Sequence, residues 1–274
     1  MIKLIRQNRT ALVSGTIILI VIIMALLVPV MSHYNETSQD LASRLMAPGG
    51  GHILGTDELG RDVFTRIFYG PRVSIMIALL PTALAVVLGT VAGVCAAAFK
   101  GAADFLIMRI ADILMSIPGM LLSMVVLYTF GGSLSSVVIA LVLIEWGSIA
   151  RVIRTVTLEI YEKEFIVAAI GAGAGRLFVM FWHIIPNLIP TLIVLFTLNI
   201  PASILAESTL SFLGIGIQPP QVSLGLMTGS SRQYLFMMPW LCLAPSGMVM
   251  ILVLSFNFLG DALRDILDPR RKEL

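Results

Sequence analysis

Charge is what this chain has least of. Only 12% of its 274 residues are Asp, Glu, Lys or Arg, about half the share of a soluble domain. Hydrophobic residues make up 58%, and the mean hydropathy is +0.97. An ordinary soluble domain is excluded. The net charge of +2 says little by itself, and no nucleic-acid partner is expected. Cysteine is nearly missing as well. Cys95 and Cys242 both lie in apolar runs, so they read as small core residues and not as a disulfide or metal pair. The three histidines, His33, His52 and His183, are scattered and read as solitary side chains, with no metal site. No G-x-x-x-x-G-K-[ST], H-E-x-x-H or G-x-S-x-G pattern occurs, which removes a phosphate cradle, a zinc protease helix and a nucleophile elbow. Gly171-Ala-Gly173-Ala-Gly175 has the wrong spacing for a dinucleotide loop, and no strand precedes it. The chain is therefore expected to be no enzyme, with no catalytic residues and no cofactor.

What is present is a set of long apolar runs. A membrane-crossing helix needs about 20 such residues. Six runs qualify: about Ala11 to Val30, Val73 to Phe99, Phe105 to Phe130, Leu134 to Ile153, Asn187 to Leu205 and Trp240 to Gly260. The first is too long for the apolar part of a signal peptide and no A-x-A site follows it, so it reads as an uncleaved span. The expected fold is all-α, a polytopic bundle of six transmembrane helices. It forms a single domain over 1–274, with an N-terminal span and long outer segment in 1–70 and a core in 71–269. Prolines at 81, 118, 190, 201 and 245, with Gly89 and Gly93, interrupt these runs. Such breaks face other helices or a watery cavity, because lipid cannot pair the freed carbonyls.

Charge distribution orients the bundle. With the N-terminus inside, the inner segments carry Lys3, Arg6, Arg9, Lys100, Arg109, Arg151, Arg154, Lys163, Arg176, Arg264, Arg270, Arg271 and Lys272. The outer segments carry Arg44, Arg61, Arg66, Arg72 and Arg232. Thirteen basic residues against five put both termini, and the stretch around Gly173, in the cytoplasm.

That stretch reads Glu164-Phe-Ile-Val-Ala168-Ala169-Ile-Gly-Ala-Gly173, continuing to His183-Ile-Ile-Pro186-Asn187. It resembles the E-A-A-x-x-x-G loop of bacterial ABC-type permease subunits. Ala168, Ala169, Gly173, His183, Pro186 and Asn187 match that pattern, while Val167 stands in the place of the leading Glu. Glu164 lies one helical turn earlier and presents a carboxylate on the same face. Three more segments carry the resemblance: Leu54-Gly-Thr-Asp57-Glu-Leu-Gly60-Arg61-Asp62, Glu207-Ser208-Thr-Leu-Ser-Phe212-Leu-Gly214-Ile-Gly216-Ile-Gln218-Pro219-Pro220, and Asn257-Phe-Leu-Gly260-Asp261-Ala-Leu-Arg264-Asp265. Together they are similar to the dipeptide, oligopeptide and nickel permease group, and within it to the C-type subunit.

The resemblance implies a type I ABC importer permease fold in a bacterial inner membrane. It also implies a second permease subunit, two ATP-binding subunits and an extracytoplasmic substrate-binding protein as partners, besides membrane lipid. The cytoplasmic loop, about 160–186, would couple to the ATPase through Glu164, Ala168, Ala169, Gly173, His183 and Pro186. The residues support a compact knob: a helix over Tyr161 to Ala169, a glycine turn, and a second helix over Arg176 to Ile185 that ends before Pro186. The cargo is a peptide, with nickel or a nickel chelate as the alternative. A stand-alone secondary carrier is the rival from another class, but no inverted repeat is visible. Glu145, an acid midway along the fourth run, is the candidate pathway residue, with an ion pair as its bland alternative. Arg109 and Asp112 read as structural interface charges. Asp57, Arg61, Asp62 and Arg66 are expected on a folded outer surface.

The charge argument has a direct test. In intact cells, Ser38→Cys should be labelled by a membrane-impermeant thiol reagent, and Gly175→Cys only after the inner face is opened. The reverse pattern would overturn the orientation.

Overall fold

The computed structural model describes residues 8–49 and 51–267. Lys3, Arg6, Arg270, Arg271 and Lys272, which entered the charge comparison, lie outside them. Among the described residues the regular structure is helical, apart from two isolated bridges in the 49–62 stretch. Five helices are long and apolar enough to cross a membrane, or six if the bent pair Gly101–Ser116 and Gly119–Phe130 is counted as one span.

Helix α1 is Arg9–Met31, capped by the Asn8 side chain, which accepts from Thr10 N–H at 3.0 Å. Its buried residues, Ala11, Ser14, Ile18, Val21 and Ala25, recur every three or four positions and form one stripe. Pro29, in the last turn, has no N–H to give the Ala25 carbonyl. Arg72 supplies the missing donor, bonding Ala25 O through Nε at 2.6 Å and Leu26 O through Nη2 at 3.1 Å.

Helix α2, Val63–Phe99, is the centre of the bundle, with α1 and the later spans packed on it. It starts ten residues before the expected Val73, because Asp62 caps it by accepting from Thr65 N–H at 2.7 Å. The extra turns carry part of the outer segment's ion cluster. Asp57 pairs with Arg61 at 2.7 Å, Arg66 donates to Glu36 O at 2.6 Å, and His52 meets Asp62 at 2.9 Å. Here the outer-surface expectation is corrected: Asp57, Arg61, Asp62 and Arg66 are all buried. Buried charges need partners, and this segment folds over itself to provide them.

The third expected span is not continuous. Helices α3, Gly101–Ser116, and α4, Gly119–Phe130, meet at 89°. Pro118 forces the preceding Ile117 into an extended conformation, φ −89° and ψ 128°. Helix α5, Leu134–Tyr161, outlasts its expected end by two turns. The short α6 follows at Glu164–Gly171, and α7 runs Arg176–Phe212. The expected stop before Pro186 does not occur. A π-helical stretch at Val179–Ile184 precedes the proline, with Ile185 N–H bonded to Met180 O. The wider turn makes room for the ring, and the ladder changes register beside the residue that has no N–H to give. Helix α8, Leu224–Ser231, is too short to span, and α9 is Pro239–Leu267.

The tightest crossing joins α2 to α5. A Cβ on Gly89 would lie 2.7 Å from Ile149 Cγ2, and one on Gly93 would lie 2.5 Å from Ala150 O. Below this crossing an apolar cluster of Val94, Ala98, Ile153, Ile160 and Ile184 carries the 164–176 segment. Arg9 sits beside Phe258, and Arg264 and Leu267 share a groove with Lys163 and Asn187. Both described chain ends therefore lie at the same end of the bundle as that segment.

Gly93→Ala should destabilise the purified protein in detergent by about 1–3 kcal/mol, since backbone atoms cannot yield to the new methyl. Gly247→Ala, where nothing lies within 4 Å, should be neutral or slightly stabilising through helix propensity. Equal melting temperatures for the two variants would refute the close crossing.

Candidate functional site

The segment between α5 and α7 is a knob with a dry root and an apolar outer face. Helix α6 ends in a Schellman motif: Ala174 N–H returns to Ala169 O at 3.0 Å and Gly173 N–H to Ile170 O at 2.9 Å. Gly173 takes φ +91°, and it is the one glycine of Gly171, Gly173 and Gly175 in the left-handed region. The turn thus depends on the glycine of the E-A-A-x-x-x-G pattern, and the two neighbouring glycines are dispensable for it. Ile166, Val179, Met180 and Ile184 are buried and root the knob on α2 and α5.

The rest points outward. Val167, Ile170, Leu177, Phe178, Phe181 and Trp182 are each half exposed or more, Trp182 at 70%. Ala168 and Gly173 are exposed among them and Ala169 is half-buried. Large aromatic side chains rarely stand together in the open without a partner. Glu164 is exposed in the first turn of α6, where an acid suits the helix dipole, and one turn before the exposed Val167. His183 lies between Phe165 and Phe178, with ring centroids at 6.3 and 5.7 Å. Asn187 donates to His183 O at 2.7 Å, beside the exposed Pro186. Ile166 is the buried anchor of α6, and Phe165 beside it is partly exposed. The fold gathers all six expected coupling residues, Glu164, Ala168, Ala169, Gly173, His183 and Pro186, at this one end.

Glu145 is elsewhere, about 24 Å along α5 from its knob end. It is buried, with Ser203 Oγ donating to Oε1 at 2.5 Å, and Thr82 within 2.8 Å of the same hydroxyl. One acid and two hydroxyls thereby tie α5, α7 and α2 together. Oε2 has no hydrogen-bond partner. Among the described residues no cation pairs with it. The two cysteines are free and half-buried on different helices, and among the described residues no group of three or more metal-ligating side chains forms.

A second buried acid was missed. Glu207, fully buried, accepts from Ser211 Oγ at 2.7 Å, and Ser211 Oγ in turn accepts from Ile217 N–H at 3.2 Å. The signal was available in the sequence. Asn199, Ser203, Glu207 and Ser211 recur every fourth residue and so share one face of α7. Gly216 and Gly225 press against Ser211 and Ser208, where a Cβ would collide with backbone. The run from Leu213 to Ser223 is therefore a folded-back strap at the end of the bundle away from the knob.

Comparison with known proteins gives a consistent result. Residues 52–273 match the family model of the binding-protein-dependent transport system inner membrane component, and residues 1–48 match that of the N-terminal TM domain of oligopeptide transport permease C. The chain is 36% identical over 270 residues to the dipeptide transport system permease protein DppC of Alkalihalophilus pseudofirmus, covering 98% of this chain and 89% of that one. It is 34% identical to the oligopeptide transport system permease protein OppC of Bacillus subtilis, covering 98% and 88%. An inward-facing structure of the MetNI methionine ABC transporter aligns with TM-score 0.60 at 18% identity, covering 74% of this chain and 96% of that chain. That similarity speaks for the fold alone.

Ser203→Ala should cost about 1–3 kcal/mol by stranding a buried carboxyl, whereas Glu145→Gln, which keeps the bonded oxygen, should cost less than about 1 kcal/mol. Thermal unfolding in detergent measures both. Equal losses would show that the Glu145–Ser203 bond does not hold the helices.

Proposed function

The chain belongs to the family of binding-protein-dependent transport system inner membrane components, and on that premise we propose that it is one of two permease subunits of an ATP-driven peptide importer. In this reading the knob around Gly173 faces the cytoplasm and seats a separate ATP-binding subunit. A second such subunit serves the partner permease, and an extracytoplasmic binding protein delivers the cargo. The observation that carries the proposal is the exposed apolar face of the knob, set on a buried root.

The division between root and face gives the knob its mechanical meaning. A partner that closes over Phe178, Phe181 and Trp182 takes apolar surface out of water. Any movement of that partner then passes through Ile166, Val179 and Ile184 to α2 and α5, whose glycine crossing leaves no slack. The knob end and the strap end would open alternately, as α5 and α7 change their separation. ATP hydrolysis is assigned to the partners, because this sequence carries no phosphate-binding loop. Glu145 acts from inside the bundle. Closed off by Ser203, it meets the pathway only when α5 and α7 part. Peptide as cargo draws support from the names of the relatives, which are dipeptide and oligopeptide permeases. Nickel has no comparable support among them, and a stand-alone carrier would have no use for the knob.

Gly173→Val is the test. A β-branched residue at φ +91° costs on the order of 1–3 kcal/mol of local strain and should open the turn without touching the spans. Membrane insertion should be normal, co-purification of the ATP-binding subunits should fall by about tenfold or more, and uptake should be lost. Glu164→Ala should be milder if the apolar face carries the contact, and as severe if the carboxylate does. Full retention of the ATPases and full uptake with Gly173→Val would sink the coupling role.

A further inference from the structure

The outer surface of the spanning helices is of two kinds. On α1 and α2 it is apolar, with Leu19, Ile23, Leu26, Val87, Leu88 and Val91 exposed. The hydroxyl of Thr16, exposed among them, is turned back onto Leu12 O at 2.7 Å. On α5 it is polar. Ser148, Arg151, Thr155 and Glu159 are exposed at spacings of three or four and so form one stripe.

Charges from α3 meet this stripe. Asp104 takes two bonds from Arg154, at 2.5 Å each, and Asp112 pairs with Arg151, whose side chain is 52% exposed. Arg109 pairs with no carboxylate among the described residues; its guanidinium lies 5.3 Å from the centroid of the Phe105 ring. The groove between the two helices has a volume of about 530 Å³.

Depth decides what this face meets. The 28 residues of α5 make a rod about 42 Å long, against a hydrocarbon layer of about 30 Å. Arg154 and Arg151 lie about 10 and 15 Å from its knob end, and Arg109, Asp112 and Arg151 fall just within the inner ends of the apolar runs Phe105 to Phe130 and Leu134 to Ile153. Charges there do not face acyl chains; they face water or protein. The balance of charge separates those two. Three arginines stand against two aspartates in the groove, and a dry subunit interface would strand Arg109 as an uncompensated cation. Water solvates it.

We infer that this face of α3 and α5 is the wall of the translocation pathway at the knob end, and that Arg109 makes that wall electropositive, favouring anionic groups of the cargo. The inference rests on the permease reading, and it names the pathway surface that the reading leaves open.

The test uses the assembled transporter in inside-out membrane vesicles, in a Cys95→Ala, Cys242→Ala background. Ser148→Cys and Thr155→Cys report on the stripe, and Val87→Cys and Leu88→Cys on the apolar surface. A charged methanethiosulfonate should modify the stripe positions about tenfold faster or more, because thiolate chemistry needs water. At Ser148→Cys the anionic sulfonatoethyl reagent should outpace the cationic trimethylammonium reagent. Arg109→Gln should reduce that preference several-fold and Arg109→Lys should restore it. Equal slow labelling of both sets would overturn the inference. So would protection of Ser148→Cys in every nucleotide state, or its cross-linking to the second permease, which would make this face a subunit contact. An unchanged reagent preference in Arg109→Gln would remove Arg109 from its role. Co-purification of the ATPases is scored separately, so failure of the importer reading leaves the labelling result interpretable.

Discussion

Polar groups inside a bilayer have no water to fall back on, and most of this structure answers to that constraint. The chain meets it in three ways. Freed backbone carbonyls are given side-chain donors, as Arg72 serves the Ala25 carbonyl left by Pro29. Buried acids are given hydroxyls, Ser203 for Glu145 and Ser211 for Glu207. Some charges that are not buried share one face, where α3 and α5 expose them together. Interruptions that would be faults in a soluble helix thereby become fixed points of the bundle.

Motion and rigidity are also separated in space. The glycine crossing of α2 and α5 admits no added atom, while the 89° bend between α3 and α4 and the π-helical stretch at the base of α7 depart from straight helix. The Glu145–Ser203 tie lies between these regions and spans α5, α7 and α2. A load taken at the knob reaches rigid helices first and meets this polar tie next. The order suits a subunit that receives work at one end and changes its opening at the other.

Much of the arrangement was legible in the residues. The apolar runs located the spans, and the E-A-A-x-x-x-G stretch located the knob, because both depend on local composition and spacing. The left-handed Gly173 was readable for the same reason: a Schellman motif is satisfied within six residues. Limits of the runs were less legible. Val63, Tyr161 and Arg176 extend helices beyond their apolar cores, since a helix continues wherever capping and packing support it, whatever the local hydropathy. The break at Pro118 and the passage through Pro186 show that one residue type has opposite outcomes. Ile117 is forced to extend in the first case, and a widened turn absorbs the ring in the second.

The sequence by itself determined that this is a membrane bundle of the permease type, where its helices cross and which loop stands out. Those properties follow from hydrophobic length and short-range pattern, which the chain carries locally. Only the tertiary structure decided which charges are buried and which are open. Asp57 and Arg66 looked like surface and are interior; Arg151 and Asp112 lie in apolar-length helices and are half exposed. Burial of a side chain is set by what lies across from it, and the facing residues come from helices tens of positions away. Spacing along one chain cannot state that, because the partner of each polar group is chosen by packing in three dimensions.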